Sequence, residues 1–270
     1  MEVAGVQISL LHDDNKPRKL KYNLGHPRVL AFGGAYSNLI TAVARAGHER
    51  GFETIGVIRG EEHLPLNPSL AGAAAHGMRL TYLDRAAYRL KHTPAVQERL
   101  REEFGDVFIL PEGGSNAAAV RGCAELPGEI EGDYDVVCCP VGTGGTLAGI
   151  AAGLPPGKRA IGFAALKGGA FLNDEVARLQ REYGRRTGNW SIELGYHFGG
   201  YAKTTPALDA MGFERVYVAK MIYGILDLVR RGRFARGTRI VAVVTGQPDT
   251  PVEECGSPTG FDSGDPRWRR

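Results

Sequence analysis

A turn rich in glycine and threonine has a composition that could bind an anion. Five residues form it, after an apolar run and before a helical pattern: Gly142, Thr143, Gly144, Gly145 and Thr146. Backbone N–H groups of such a turn can converge on an anion, and the N-terminus of the following helix adds a partial positive charge. The turn lacks the lysine of a P-loop and the full glycine register of a dinucleotide fingerprint. It predicts a site for a phosphate monoester, with a tight turn that binds nothing as the alternative.

Lys16 is the candidate nucleophile of the chain. It lies in the segment DNKPRKLKYNL (residues 14–24), directly before Pro17. Proline is favoured at the first position of a helix, so we expect Lys16 just outside the helix, with its amine free to reach a cleft. A lysine that forms a Schiff base needs a neutral amine, which partial burial and neighbouring cations favour, and Arg18, Lys19 and Lys21 are close in sequence. The alternative is a solvated, basic helix start.

The elements that must position these residues alternate between strands and helices. Apolar runs rich in β-branched residues predict strands buried on both faces of a parallel sheet; they cover residues 28–34, 53–60, 79–85, 106–114, 134–142, 159–166, 215–220 and 239–246. Segments 37–51 and 218–232 have apolar residues three and four apart and a closing glycine, which predicts helices. This alternation indicates an open α/β fold, in which ligands bind beyond the carboxyl ends of the strands. Residues 248–270 predict a poorly ordered end.

Composition limits the classes of function. The chain has 270 residues, enough for one or two α/β domains, and a net charge of only +3. The densest basic stretch, Arg230–Arg239, is interpreted as a helix end with a solvated turn, so no nucleic-acid partner is expected. No signal peptide or membrane span is recognisable, and no histidine or cysteine spacing suggests a metal site. The adjacent Cys138 and Cys139 predict core packing, and a reducing cytoplasm is the expected compartment.

Six motifs occur in the same order as in one known family. They are DNKPRKLKYNL (14–24), FGGAYSN (32–38), PEGGSN (111–116), VGTGGTLAG (141–149), YHFGGYAK (196–203) and VYVAKM (216–221) followed by VVTG (243–246). The chain resembles the family that contains D-cysteine desulfhydrase and 1-aminocyclopropane-1-carboxylate (ACC) deaminase, over roughly residues 6–247. The resemblance implies a fold type II, tryptophan-synthase-β-like enzyme that uses pyridoxal 5′-phosphate (PLP). It further implies two open-sheet α/β domains with PLP in the cleft between them: a large domain of residues 1–23 plus 119–270 and a small domain of residues 24–118. A homodimer is expected on the same ground.

The resemblance also implies roles for individual residues. Lys16 would be linked covalently to PLP, Asn38 would bind its 3-hydroxyl group, and Ser37 would contact the substrate or help to move protons. The glycine-rich turn, residues 142–146, would bind the phosphate, and Thr245 would face the pyridine nitrogen. Tyr201 and Tyr217 match two active-site tyrosines, although core aromatic residues with a satisfied hydroxyl are the alternative.

Several positions depart from the family pattern. Asp14 replaces a glycine, and its carboxylate could crowd the loop or pair with Lys16 or Arg18. The family has a longer segment before the lysine, so the shorter one here could open the site or remove substrate contacts. Val218 stands where the deaminases have a glutamate near the pyridine nitrogen, and Gln247 stands where a second glycine is usual.

The function expected from these residues is elimination from a small D-amino acid, with D-cysteine giving pyruvate, ammonia and sulfide. A hydroxyl such as that of Thr245 leaves the pyridine nitrogen largely unprotonated, which suffices when the leaving group is good. Ring opening of ACC should need more stabilisation, so ACC deamination is the alternative. A second alternative is a PLP-binding relative without turnover. A third is a nucleotide-binding Rossmann module, an interpretation that rests on the glycine-rich turn alone.

Overall fold

The computed structural model describes residues 1–246. The departure at Gln247, the predicted poorly ordered end at residues 248–270 and the fourth cysteine, Cys255, lie outside the described residues.

The described residues form ten strands and eleven α-helices, numbered in chain order. The strands are β1 Glu2–Val3, β2 Val6–His12, β3 Arg28–Gly33, β4 Glu53–Arg59, β5 Arg79–Leu83, β6 Phe108–Leu110, β7 Val136–Val141, β8 Arg159–Ala164, β9 Trp190–Glu193 and β10 Arg239–Val244. The helices are α1 Asn15–Lys21, α2 Asn38–Arg50, α3 Pro68–Ala75, α4 Arg85–Arg89, α5 Pro94–Phe104, α6 Ala117–Cys123, α7 Leu126–Glu129, α8 Gly145–Gly153, α9 Leu172–Tyr183, α10 Pro206–Asp209 and α11 Val218–Arg230.

Four parallel strands form the smaller sheet, in the order β5-β4-β3-β6. Side chains alternate between its two faces, as the period of a strand requires. Val29 and Ala31 of β3 join an apolar cluster with residues of α2 and α3. Leu30 and Phe32 join a second cluster on the other face with residues of α4 and α5. Strands buried on both faces explain why these runs are continuously apolar.

The larger sheet combines strands from both ends of the described chain. Its order is β1-β2-β10-β7-β8-β9, and every pair is parallel except β1 with β2. The neighbouring Cys138 and Cys139 of β7 belong to the two different apolar clusters that cover its faces. Both are buried free cysteines, as their apolar run predicts.

Helix α1 begins earlier than the sequence indicates. We expected Pro17 to open the helix and Lys16 to lie just outside it, but the helix starts at Asn15 and Asp14 is its N-cap. The Asp14 carboxylate accepts a hydrogen bond from the Lys16 backbone N–H at 3.2 Å, which stabilises the first turn. Lys16 therefore lies within that turn.

The run of residues 215–220 is not a strand, contrary to the sequence prediction. Residues 215–217 form a turn and α11 starts at Val218. The Glu214 carboxylate accepts hydrogen bonds from the N–H groups of Val216, Tyr217 and Val218 at 2.7, 2.8 and 3.2 Å. It thereby satisfies donors that a helix start leaves open, and the β-branched residues enter a helix despite their strand preference.

The fold class is nevertheless as predicted: an α/β protein with two open, largely parallel sheets. Strands β1, β2 and β9 were not recognised in the sequence. The strands of the smaller sheet lie between Arg28 and Leu110, inside the range predicted for the small domain, while the domain boundaries themselves stay a prediction. Within residues 1–246, no helix is long and apolar enough to cross a membrane, and no group of three or more potential metal ligands converges.

Gly122 lies where α6 packs against α1, so a substitution there measures how closely the two helices pack. A Cβ atom at Gly122 in α6 would lie 2.0 Å from the backbone oxygen of Arg18 in α1, so Gly122→Ala must push the two helices apart. We expect a loss of about 1–3 kcal/mol in the free energy of unfolding, measured by urea denaturation. Gly128→Ala is the control, because a Cβ at Gly128 meets nothing within 4 Å. Equal stability of both variants would contradict the close packing of α1 on α6.

Candidate active site

A pocket lies at the carboxyl ends of strands from both sheets. Residues that follow β7 and β10 of the larger sheet meet residues that follow β3 and β6 of the smaller one. The lining residues are Asn15, Lys16, Lys19, Asn38, Gly113, Pro140, Val141, Gly142, Thr143, Gly144, Thr146, Leu147, Tyr217 and Thr245. The pocket thus brings together most of the residues selected from the sequence, at the edge where open α/β sheets bind ligands.

Lys16 reaches this pocket from the first turn of α1. Its Nζ donates a hydrogen bond to Asn15 Oδ1 at 2.5 Å, and Asn15 Nδ2 donates to Thr146 Oγ1 at 2.8 Å. Burial lowers the pKa of Lys16 below its ordinary value, and the Asp14 carboxylate opposes this shift only in part. A lowered pKa increases the fraction of neutral amine, which is the nucleophilic form.

Asn15 was not selected from the sequence, although it couples the lysine to the glycine-rich turn. Its side chain is buried and connects the amine to Thr146. Its place directly before the lysine was the available signal, but the contact with a residue 131 positions away depends on the tertiary structure.

Neighbouring side chains lie so close to the turn at residues 142–146 that several of its positions have room only for glycine. A Cβ at Gly145 would lie 2.5 Å from Ser115 Oγ, and one at Gly142 would lie 3.1 Å from the Tyr217 ring. Gly144 has a φ of +81°, in the left-handed region that glycine adopts most readily. Helix α8 starts at Gly145 directly after it. The turn therefore presents backbone and two threonine hydroxyls to the pocket.

Lys19 supplies a second amine beside this turn. It is buried, and its Nζ donates to the Gly113 carbonyl at 2.9 Å and to Ser115 Oγ at 3.1 Å. Burial, assisted by the charge of Lys16, lowers the pKa of Lys19 to about 8. From the sequence, Lys19 was expected only to be a cationic neighbour of Lys16, yet its spacing of three from Lys16 places both amines on one helix face.

Asn38 and Ser37 lie at the start of α2. Asn38 is the first residue of the helix and lines the pocket. Its Nδ2 lies 3.7 Å from the position that a Cβ on Gly246 would take. Ser37 is the N-cap, and its Oγ accepts a hydrogen bond from the Ile40 N–H at 3.4 Å. Ser37 is not among the lining residues, so the structure places it beside the pocket.

The two selected tyrosines contact each other. Tyr217 Oη donates to Tyr201 Oη at 2.9 Å, and the rings meet edge to face with centroids 5.5 Å apart. Tyr217 lines the pocket, whereas Tyr201 is partly exposed and reaches it through Tyr217. Burial raises the pKa of both hydroxyls, so both hold their protons at neutral pH.

The far end of the pocket lacks a carboxylate. Thr245 follows β10 and is buried. Val218 is also buried, and its side chain joins the apolar cluster that contains Val244. No aspartate or glutamate stands among the residues lining the pocket within the described chain.

Asp14, the departure at the start of α1, does not pair with Arg18. The Asp14 carboxylate caps the helix and lies 3.9 Å from Arg45. Arg18 pairs instead with Asp13 at 2.7 Å and Glu129 at 2.6 Å.

These groups fit PLP. The turn leaves room that a Cβ at Gly142 or Gly145 would remove, and Lys19 adds positive charge beside it, which suits a phosphate. Lys16 has a lowered pKa, which suits a covalent bond to an aldehyde. Asn38 and Thr245 offer an amide and a hydroxyl for the polar atoms of an aromatic ring.

Comparison with known proteins points the same way. No family model matches the chain. A protein of Pyrococcus furiosus provisionally named 1-aminocyclopropane-1-carboxylate deaminase is 28% identical over 284 residues, covering 91% of this chain and 86% of that protein. The 1-aminocyclopropane-1-carboxylate deaminase of Burkholderia vietnamiensis is 25% identical, covering 84% and 80%. The crystal structure of an ACC deaminase homologue superposes with a TM-score of 0.74 at 25% identity, covering 86% of this chain and 79% of the other. The chain is thus similar, over most of its length, to proteins named as ACC deaminases and to a solved ACC deaminase homologue.

These similarities confirm the resemblance to the ACC deaminase/D-cysteine desulfhydrase family and the fold that the six motifs indicate. The family uses PLP. The roles of single residues in this chain stay predictions.

Lys19 gives the pocket a pH-dependent charge. Lys16→Ala removes the charge of Lys16 but keeps the burial that is the main cause of the lowered pKa of Lys19. In this background we expect PLP affinity to fall as pH rises above 8, because Lys19 then loses its proton while the phosphate stays a dianion. Lys19→Met should bind PLP about ten- to a hundredfold more weakly at pH 7, and without this pH dependence, by titration calorimetry. Lys21→Met, which alters an exposed lysine of the same helix, is the control. An unchanged pH dependence in Lys19→Met would exclude Lys19 as its source.

Proposed function

We propose that this protein binds PLP through Lys16 and eliminates the β-substituent of a small D-amino acid, with D-cysteine as the foremost substrate. The balanced reaction is D-cysteine plus water giving pyruvate, ammonia and hydrogen sulfide. The observation that carries the proposal is the combination of an amine of lowered pKa at Lys16 with a pocket end that holds Thr245 and no carboxylate.

When bound, PLP acts as an electron sink for a carbanion at the α-carbon of an amino acid. The protein selects which bond breaks. Its own groups hold the cofactor at one end through the glycine-rich turn and Lys19, and Asn15 fixes the position of the Lys16 amine. Asn38, which follows a strand of the smaller sheet, and Thr245, which follows a strand of the larger sheet, would orient the cofactor ring.

Proton transfer can be divided between two groups of side chains. The Lys16 amine, or Ser37 beside Asn38, would take the α-proton of the substrate. The hydroxyls of Tyr217 and Tyr201 carry protons at neutral pH, and Tyr217 is the group that we assign as proton donor to the leaving thiolate. Burial raises the pKa of both hydroxyls, which keeps them from acting as bases. This pairing supplies a base at one side of the pocket and an acid at another.

The end of the pocket near Thr245 favours elimination over ring opening. A hydroxyl does not protonate a pyridine nitrogen, whereas a carboxylate partner would. Val218, at the position where the deaminases have a glutamate, is an apolar core residue here. A good leaving group such as sulfide needs less stabilisation of the carbanion than the opening of a carbon ring.

ACC deamination is the second candidate. The relatives from Pyrococcus furiosus and Burkholderia vietnamiensis carry that name, at 28% and 25% identity. Both candidate reactions need the same lysine and the same acid, so the products must distinguish them. A homodimer that acts on a small amino acid, with neither nucleic acid nor membrane as a partner, remains part of the proposal.

The first test concerns Lys16. Purified protein with PLP should show the absorbance of a protonated imine, which disappears in Lys16→Ala, and D-cysteine should then yield pyruvate and sulfide while ACC yields no 2-oxo acid. Lys21→Ala serves as the control for loss of a lysine from the same helix. Imine absorbance without product from either compound would replace the proposal with a PLP-binding relative that lacks turnover. The absence of this absorbance in the unmodified protein would exclude Lys16.

The second test concerns Tyr217. Tyr217→Phe should keep the imine absorbance and lower kcat for D-cysteine by about 10²–10⁴-fold, the usual contribution of a general acid. Tyr223→Phe, which alters a tyrosine packed on Phe198 away from the pocket, should keep kcat. Unchanged turnover in Tyr217→Phe would assign the acid to another group.

A further inference from the structure

Lys220 is a buried lysine that lies outside the pocket. It is the third residue of α11 and is only 1% exposed. Its Nζ donates hydrogen bonds to three backbone carbonyls, those of Ala165 at 3.1 Å, Gly200 at 2.7 Å and Tyr201 at 2.9 Å. Among residues 1–246, no carboxylate lies within ion-pair distance of this amine.

The number of acceptors matches the charged form of the side chain. An ammonium has three N–H donors, and three carbonyl oxygens surround it. A neutral amine has two donors and a lone pair, which would face one of the carbonyl oxygens. Burial lowers the pKa of Lys220, and the more distant Glu214 carboxylate opposes that shift. The carbonyl dipoles thus take the place of the water molecules that the cation loses on burial.

Two of the three carbonyls belong to the turn that carries Tyr201. This turn includes residues of positive φ: Phe198 at 50°, Gly199 at 91° and Gly200 at 147°. Lys220 connects it to α11 and to Ala165, directly after β8. Tyr217 lies three residues before Lys220 in the chain, and its hydroxyl contacts the Tyr201 hydroxyl. The Tyr201 backbone and the Tyr201 side chain are therefore both bound to the start of α11.

We propose that Lys220 is a built-in monovalent cation, whose ammonium fills a cage of three carbonyl oxygens and so positions Tyr201 against Tyr217. Carbonyl oxygens that replace a hydration shell are the usual environment of a monovalent ion such as K⁺. A cage without a carboxylate suits a single positive charge. The cage itself does not depend on the activity proposed above, whereas the effect of a positioned Tyr201 on turnover rests on that activity.

A cavity variant tests the cage without cofactor or substrate. Lys220→Ala removes the ammonium and its stem and leaves space for an ion. We measure thermal unfolding of the protein without added PLP, in potassium, ammonium or tetramethylammonium chloride at equal concentration. Lys220→Ala should have a higher Tm in potassium or ammonium than in tetramethylammonium, whereas the unmodified protein and Lys167→Ala, which alters an exposed lysine, should show no such preference. No ion preference in Lys220→Ala would overturn the proposal.

Lys220→Met keeps the proposal falsifiable if Lys220→Ala does not fold. Methionine fills the space of the stem but carries no charge and leaves no room for an ion. Its Tm should be below that of the unmodified protein in all three salts and insensitive to the choice of ion. A Tm equal to that of the unmodified protein would show that the carbonyls need no cation, which overturns the proposal.

Turnover then separates the cage from the proposed function. With D-cysteine, Lys220→Met should retain imine absorbance but lose about 10²-fold in kcat. A displacement of the proton donor by about 1 Å is enough for a loss of that size. Potassium should restore kcat in Lys220→Ala relative to tetramethylammonium. If the unmodified protein does not act on D-cysteine while the ion preference of Lys220→Ala holds, the proposed function fails and the cage stands. If the unmodified protein is active and both variants match it in every salt, the cage fails alone.

Discussion

The parallel pairing of β2 with β10 is the constraint on which the site depends. It joins strands more than two hundred residues apart, with Ile8 opposite Ile240 and His12 opposite Val244. The pairing continues past the strand ends, where the Asp13 N–H donates to the Val244 carbonyl at 3.0 Å. Because both strands end at the same edge, α1 with Lys16 begins beside Thr245. Without this register the lysine would have no pocket to enter.

Three lysines with restricted access to water show how the same side chain serves different purposes. Lys16 has one hydrogen-bond acceptor and a lowered pKa, which suits a nucleophile. Lys19 has two acceptors and faces the glycine-rich turn, which suits a cation that binds an anion. Lys220 has three carbonyl acceptors and therefore no donor left for a ligand. The number of acceptors, more than the depth of burial, separates these roles.

Close packing against glycine fixes how these groups meet. Gly122 allows α1 to approach α6, Gly145 allows Ser115 and Lys19 to approach the start of α8, and Gly142 accommodates Tyr217. Each contact joins segments that are distant in the chain. The glycines of the motifs are thus required by tertiary neighbours as well as by turn conformation.

The sequence by itself determined the fold class, most strands and the chemical character of the candidate site. Strand periods, apolar runs and the glycine-rich turn are local signals, because they reflect backbone geometry within a few residues. The same local reasoning was wrong at residues 215–220, where Glu214 starts a helix in a β-branched run, and at Pro17, where Asp14 caps the helix earlier. Only the tertiary structure decided that Asn15 meets Thr146, that Lys19 lies in the pocket, that Tyr217 meets Tyr201 and that Lys220 is enclosed by carbonyls. Those contacts join residues far apart in sequence, and their geometry follows from packing between elements rather than from the order of amino acids within any one of them.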